Sequence, residues 1–401
     1  MRTTWTFHTA GHLLFGRDAA GQLGDVVRQI GGTRCLIVTD KTLVAAGVVE
    51  RARSPLVAAG IDVHVFDGGK PEPPVDVAEE CIAVGREFRP DVVLGLGGGS
   101  NMDLAKITAT VLAHGGTCRD YAGDGVVPGP VLPLVCVPTT AGTGSEVSAA
   151  SVLSDPQQAT KFGILSNFLR PRVAVVDPLL TVSCPAKVTA DSGIDALSHA
   201  VEALTAIDNE RFPLPEGERT VYQGHHAMGD LVAERAIELV GQFLRRAVAD
   251  GNDLEARDGM ALAATLAGMA FSNVGVAVVH ALEYPIGGAT HCSHGAGNGL
   301  LLPYVMDFNK SACLERTARV GRLLGEDVAG MSDAEAAAVA VAAVAKLRDE
   351  IGVPGRLRDL GVTAEQLPVM AEKAFGVKRI LRVNPRAVTC DDLLSILQAA
   401  Y

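Results

Sequence analysis

The sequence predicts an α/β domain followed by an all-helical one, and three observations carry that reading. Short β-branched runs alternate with helix-forming segments through the first half, they vanish beyond Pro185, and a glycine cluster stands where one apolar run passes into a helix. With 401 residues, 48% of them hydrophobic, the chain is long and apolar enough to build two packed cores. The boundary is placed at residue 186, giving an α/β dinucleotide-binding domain over 1–186 and a helical domain over 187–401.

Taken in order, the β-branched runs fall at residues 35–39, 61–66, 91–96, 132–137 and 173–176, and helical spacing between them makes a parallel sheet the expected arrangement. Beyond the boundary, residues 230–248 and 333–349 show long Ala/Leu/Val-rich helical patterns. Residues 208–229 interrupt that half with two prolines and many polar groups, and predict a long loop.

Composition narrows the ligands. A formal charge of −11 without any Lys/Arg run offers no basic footprint for nucleic acid or an anionic membrane. No apolar stretch reaches a membrane-spanning length, and the first sixteen residues lack the pattern of a targeting peptide. Eight cysteines without a CxxC pair suggest reduced thiols and a cytoplasmic protein. Small molecules are the expected partners.

The apolar run ending at Leu96 leads through Gly97, Gly98, Gly99 and Ser100 into a helix-forming segment that begins near Asp103. Glycines let backbone amides approach a pyrophosphate, and a helix N-terminus adds partial positive charge and unpaired N–H donors. The spacing matches neither the standard Rossmann fingerprint nor a P-loop. A second loop, Pro138 to Glu146, brings Thr139, Thr140, Thr143 and Ser145 to the end of another apolar run. Asp40, just after the first run, could accept from an adenosine ribose and would repel a 2′-phosphate, which favours NAD(H) over NADP(H).

In the helical half, Asp195 and His199 lie four residues apart and share a helix face, so both could serve one cation. His280 and His294 flank a glycine-rich turn, and three imidazoles with one carboxylate suit a divalent transition metal. A metal close to a nicotinamide suggests hydride transfer assisted by a Lewis acid.

These motifs together resemble the iron-containing, or group III, alcohol dehydrogenases over nearly the whole chain. The matching residues are Gly97-Gly98-Gly99-Ser100 with Asp103, the run from Pro138 to Glu146, Asp195-Ala196 with His199, Ala200 and Glu202, then His280, His294-Gly295 with Asn298, and Asn384-Pro385-Arg386. The resemblance implies that Asp195, His199, His280 and His294 bind the catalytic metal, Fe2+ first and Zn2+ second. It also implies that Gly97 to Ser100 hold the pyrophosphate, that Thr139, Thr140 and Thr143 line the nicotinamide side, and that Lys161 lies near the nicotinamide ribose.

One departure stands out: Tyr284 occupies the position four residues after His280 where many members carry a second histidine. With the 208–229 insert, it is similar to the hydroxyacid–oxoacid transhydrogenase branch. His225, His226, His291 and Cys292 are read as surface or pocket-rim residues. The expected function is hydride transfer between NAD(H) and a small alcohol, aldehyde or hydroxyacid, in a cleft between the two domains of a homodimeric enzyme. The alternatives are a transhydrogenase that retains its nucleotide, a metal-free reductase and a non-catalytic binding protein.

Overall fold

The computed structural model describes residues 3–155 and 160–401. Its chain divides into two compact units. One comprises His8–Cys184 with Arg219–Val221; the other takes Pro185–Glu218, Tyr222–Tyr401 and the described residues up to Phe7. That first segment groups with the helices because Gln223 grips it: the Thr6 N–H donates to Gln223 Oε1 (2.9 Å) while Gln223 Nε2 donates back to the Thr6 carbonyl (2.8 Å). Trp5 stacks flat on His226 with ring centroids 4.6 Å apart.

Among the described residues, nine strands run through the α/β unit: β1 (His12–Phe15), β2 (Arg34–Val38), β3 (Asp62–Phe66), β4 (Val92–Gly97), β5 (Gly123–Asp124), β6 (Leu134–Pro138), β7 (Ala150–Asp155), β8 (Thr160–Leu165) and β9 (Val173–Val176). Six form one parallel sheet in the order β1-β9-β6-β4-β2-β3. Its central strands β4, β6 and β9 are continuously buried apolar runs, as strands covered on both faces must be. Alternate residues feed opposite cores. Leu36 and Val38 pack with the inner faces of α4 (Val75–Phe88) and α5 (Gly99–His114), whereas Cys35 and Ile37 pack with α1 (Leu23–Gln29) and α3 (Val48–Ala58).

After β2 and the short helix α2 (Lys41–Ala45) the chain runs outward to edge strand β3, then returns to the other side of β2 as β4 and continues to β6. The order therefore reverses between β2 and β4, the position at which open α/β sheets bind ligands beyond their carboxyl ends. Asp40 follows β2, and the glycine cluster follows β4.

Beyond Val176 the described residues form no further strand. The helical unit contains α6 (Ala186–Leu204), α7 (Ala227–Ala249), α8 (Leu254–Val274), α9 (Val278–Thr290), α10 (His294–Asn309), α11 (Leu314–Leu323), α12 (Asp333–Glu350), α13 (Leu367–Phe375), α14 (Lys378–Leu381) and α15 (Cys390–Ala400). Helix α6 is buried along almost its whole length and packs against α7, α8 and α10. Helix α12 starts at a reciprocal Ser332/Glu335 capping box. The 208–229 insert is irregular apart from a 3-10 turn at Asn209–Arg211 and the first turn of α7, which begins at Ala227. No single helix among the described residues is long and apolar enough to cross a membrane.

Candidate active site

Three helices of the second unit bring the predicted ligands together. Asp195 and His199 stand one turn apart on α6, His280 lies in the first turn of α9, and His294 opens α10. The approach of α10 to α6 depends on Gly295, where a Cβ would lie 2.0 Å from the Asp191 carbonyl oxygen. Ser293 caps α10, accepting from the Ala296 N–H (3.3 Å) while its hydroxyl donates to Asp191 (2.5 Å).

Asp195, His280 and His294 each direct a ligand atom into a space where these atoms lie within 4.8 Å of one another. The Asn298 amide nitrogen sits at the centre, 2.8 Å from Asp195 Oδ1 and 3.1 Å from both His280 Nε2 and His294 Nε2. Two amide hydrogens face three acceptors there, and the buried Asn298 Oδ1 has no hydrogen-bond partner. One divalent cation would satisfy all three acceptors, and two imidazoles with a carboxylate are donors suited to Fe2+ or Zn2+. The fourth predicted ligand, His199, is adjacent but outside this converged set. Its ring stacks on Phe271 (4.2 Å) and His280 (4.7 Å), and its Nδ1 lies 3.8 Å from Asp195 Oδ2.

Carboxylates behind the rings set their orientation. Glu202, two turns along α6 from Asp195, accepts from His280 Nδ1 (2.6 Å) and from the Val279 N–H (2.7 Å), so one group orients the ring and caps α9. An ionised carboxylate only accepts, so the His280 proton resides on Nδ1 and Nε2 keeps its lone pair for a cation. Burial works to raise the Asp195 pKa, but His199, His294, His280 and the Asn298 amide outweigh it and hold that carboxyl below its ordinary value. Asp195 and His280 are buried, whereas the His294 side chain is 35% exposed and supplies the open side of the cluster.

In the α/β unit, the two predicted loops lie side by side because β4 and β6 are neighbours. Gly97 adopts φ +144°, and a Cβ there would lie 2.2 Å from Asn101 Nδ2, so the turn accepts only glycine. Helix α5 follows, with Gly98 at its N-cap and no acidic residue in its first turn. Its N–H donors suit an anion. Gly99 backs onto the Thr143 side chain, Gly98 faces Thr140, and the Thr139 N–H donates to the Gly97 carbonyl (3.1 Å).

Asp40 caps α2, accepting from Thr42 N–H (2.8 Å) and Leu43 N–H (3.0 Å), while its other oxygen accepts from Asn101 Nδ2 (2.7 Å). Lys161 is ion-paired with Glu72, whose N–H donates to Ser100 Oγ (3.1 Å). Asp103 and Ser145, expected to face the cofactor, are engaged by the protein itself. Asp103 accepts from Ser145 Oγ (2.8 Å) and the Val152 N–H (2.9 Å), and Ser145 accepts from the buried Lys106 (2.8 Å). They brace the two loops against β7. Tyr284 is half-buried on α9, one turn beyond His280 and outside the converged set.

Two contributors escaped the sequence reading. Asn101 bridges the ends of β2 and β4, and its place two residues after the glycine cluster was the available signal. Glu283 lies i+3 from His280, a spacing equally usual on any amphipathic helix.

The model of the iron-containing alcohol dehydrogenases matches residues 10–178, and that of the C-terminal region of the same family matches residues 218–401. Long-chain-alcohol dehydrogenase 1 of Geobacillus thermodenitrificans is 39% identical over 96% of this chain and 94% of its own. A crystal structure of 1,3-propanediol oxidoreductase superposes with a TM-score of 0.93 at 37% identity, covering 99% of this chain and 100% of the other. A mitochondrial hydroxyacid-oxoacid transhydrogenase of Xenopus tropicalis is 29% identical over 100% of this chain and 91% of its own. The chain belongs to the iron-containing alcohol dehydrogenase family. It is an oxidoreductase that exchanges hydride between NAD(H) and alcohol or aldehyde groups.

Proposed function

We propose that this protein interconverts a small primary alcohol and its aldehyde at a site formed by Asp195, His199, His280 and His294, with NAD(H) held by the loops after β2, β4 and β6. The observation that carries this reading is the convergence of Asp195 Oδ1, His280 Nε2 and His294 Nε2 on one point. Those residues would hold Fe2+ or Zn2+, with His199 beside them; when bound, the ion polarises the substrate oxygen and favours the alkoxide. Asp195 supplies the negative charge of the set, Glu202 fixes the His280 tautomer, and part-exposed His294 borders the side open to substrate.

Gly97 to Ser100 and the N-terminus of α5 would carry the pyrophosphate, Thr139, Thr140 and Thr143 the nicotinamide side, and Lys161 the nicotinamide ribose. Asp40 at the β2 end supports NAD(H) over NADP(H). Eight free cysteines are compatible with a reducing cytoplasm, and a homodimer is the assembly proposed as the commonest closed symmetry. The test is aldehyde-dependent oxidation of NADH by metal-loaded protein. Equal turnover after chelation, with elemental analysis confirming a metal-free sample, would refute the metal-dependent reading.

A second reading is favoured by Tyr284 in place of the second histidine: hydride passes between a hydroxyacid and an oxoacid through a retained nucleotide. It requires nucleotide to co-purify and deuterium to pass from a labelled hydroxyacid to an oxoacid without added NAD. Transfer that needs added, dissociable NAD rules it out.

A further inference from the structure

Glu283 is wholly buried, and its Oε2 lies 2.6 Å from Nδ1 of His294. It reaches that position from a different helix: His294 opens α10, whereas Glu283 lies one turn beyond His280 on α9. The space for its carboxylate is built into the packing, because a Cβ at Gly297, one turn into α10, would lie 2.9 Å from Glu283 Cγ. Burying a carboxylate costs several kcal/mol unless a charge-assisted partner offsets it, and the His294 imidazole lies within such reach.

We infer that Glu283 is a positioning residue for His294: its carboxylate keeps the ring proton on Nδ1 and holds the Nε2 lone pair on the point shared with Asp195 and His280. This rests on the metal-centred reading above. His280 Nδ1 lies at the same separation, 2.6 Å, from Glu202, there in a hydrogen bond, so both converging imidazoles have a buried carboxylate of a neighbouring helix beside Nδ1. The need is greater at His294, whose side chain is 35% exposed and lacks the enclosure that immobilises His280 at 4%. A carboxylate behind an imidazole also raises its basicity as a ligand, so the effect falls on ion retention and on the ligand field, beyond mere packing.

The test compares parent, Glu283→Gln, Glu283→Ala and His280→Ala, first stripped of metal and then titrated with Zn2+ against a chromogenic chelator and with Co2+ for its visible spectrum. The parent should bind one ion, and His280→Ala should lose it. Glu283→Ala should bind about 10- to 100-fold more weakly, with faster release and a shifted Co2+ band. Glu283→Gln, which preserves shape and removes charge, should weaken binding less but in the same direction. Circular dichroism and the Tm of the stripped proteins separate this from unfolding. If the parent binds and His280→Ala does not, yet folded Glu283→Gln and Glu283→Ala both match the parent in affinity, release and spectrum, the inference is overturned while the metal reading stands. A folded parent that binds neither ion overturns both.

Discussion

Each unit contains a buried polar knot, and the two differ in what stands at the centre. In the α/β unit the centre is Lys106, wholly buried, whose Nζ donates to Ser145 Oγ (2.8 Å), Ser148 Oγ (3.0 Å) and the Ala150 carbonyl (2.8 Å), with Asp103 at 3.8 Å. Burial pulls the lysine pKa below its ordinary value while Asp103 pulls it back, and three acceptors match the three ammonium hydrogens. In the helical unit the acceptors converge in the same way, but there the Asn298 amide stands against two imidazole nitrogens and a carboxylate. A knot with its own cation is scaffolding. A knot short of a cation is suited to the metal proposed above, and buried acceptors left short of donors are costly enough to make the distinction physical.

The sharpest way to break this comparison is to remove one acceptor from the second knot. His280→Ala or His294→Ala should lose most bound metal and lower turnover by more than about 100-fold, exceeding the 10- to 100-fold usual for groups one shell further out. Far-UV circular dichroism should be unchanged. Activity within a few fold of the parent, measured at saturating NADH and aldehyde, would place the chemistry elsewhere.

The Lys106 knot should fail differently. Lys106→Met leaves buried Ser145 and Ser148 and part-buried Asp103 without their cation, and the expected cost is about 3–5 kcal/mol of stability in denaturant unfolding. Because Ser145 belongs to the second cofactor loop, the KM for NADH should also rise, while metal content stays at the parental level. A variant as stable as the parent would mean that the knot is held by packing alone.

A smaller effect tests the cofactor end. Asp40→Asn preserves a capping side chain on α2, so stability should hold, but it removes the charge that, on the proposed reading, would face a 2′-phosphate. Parent protein should prefer NADH to NADPH in kcat/KM, and the variant should narrow that preference about tenfold, within the range of one charge pair at short distance in high dielectric. A parent preference for NADPH would remove Asp40 from the cofactor site.

The parts legible in the sequence share a physical property: a strong local pattern. The runs at β2, β4, β6 and β9 were visible because buried parallel strands are continuously apolar, and α12 because its pattern spans five turns. Strand β1 is four residues long at a sheet edge, β7 intersperses polar and apolar residues with alternate burial, and β8 opens on polar residues in the same small mixed sheet, so none of the three presented a continuous apolar run. In the site, Asp195, His280 and His294 were recognisable by residue type and motif. That Asp103 and Ser145 are consumed by Lys106, or that Glu283 meets His294, depends on how helices and loops pack, and no spacing within one segment encodes it.

The gentlest test uses a third polar cluster, built on histidines with carboxylates nearby but no convergence. His226 accepts from the Gly229 N–H through Nδ1 (3.2 Å), capping α7, and its ring lies against Trp5, the only tryptophan of the chain. His225 stands between Asp208 (3.5 Å) and Asp230 (3.6 Å), and Arg316 pairs with the same Asp230. Burial lowers the His226 pKa below 6.5; Asp230 opposes that shift, and His225 adds to it. A basic group depressed in the fold contributes stability that is fully present above its unfolded pKa and is lost as pH falls through the folded value. Protonated Nδ1 cannot accept from Gly229, so the cap, worth about 1 kcal/mol, should weaken below about pH 6.5 and loosen Trp5 with it. Tryptophan emission should therefore change as pH falls below about 6.5, while His226→Asn, which keeps a capping acceptor and cannot titrate, should give a flatter profile. Metal content should be the same in both proteins. An identical pH profile in His226→Asn would show that the His226 cap does not control Trp5, and a loss of metal in that variant would erase the line drawn between histidines that converge and histidines that only cap.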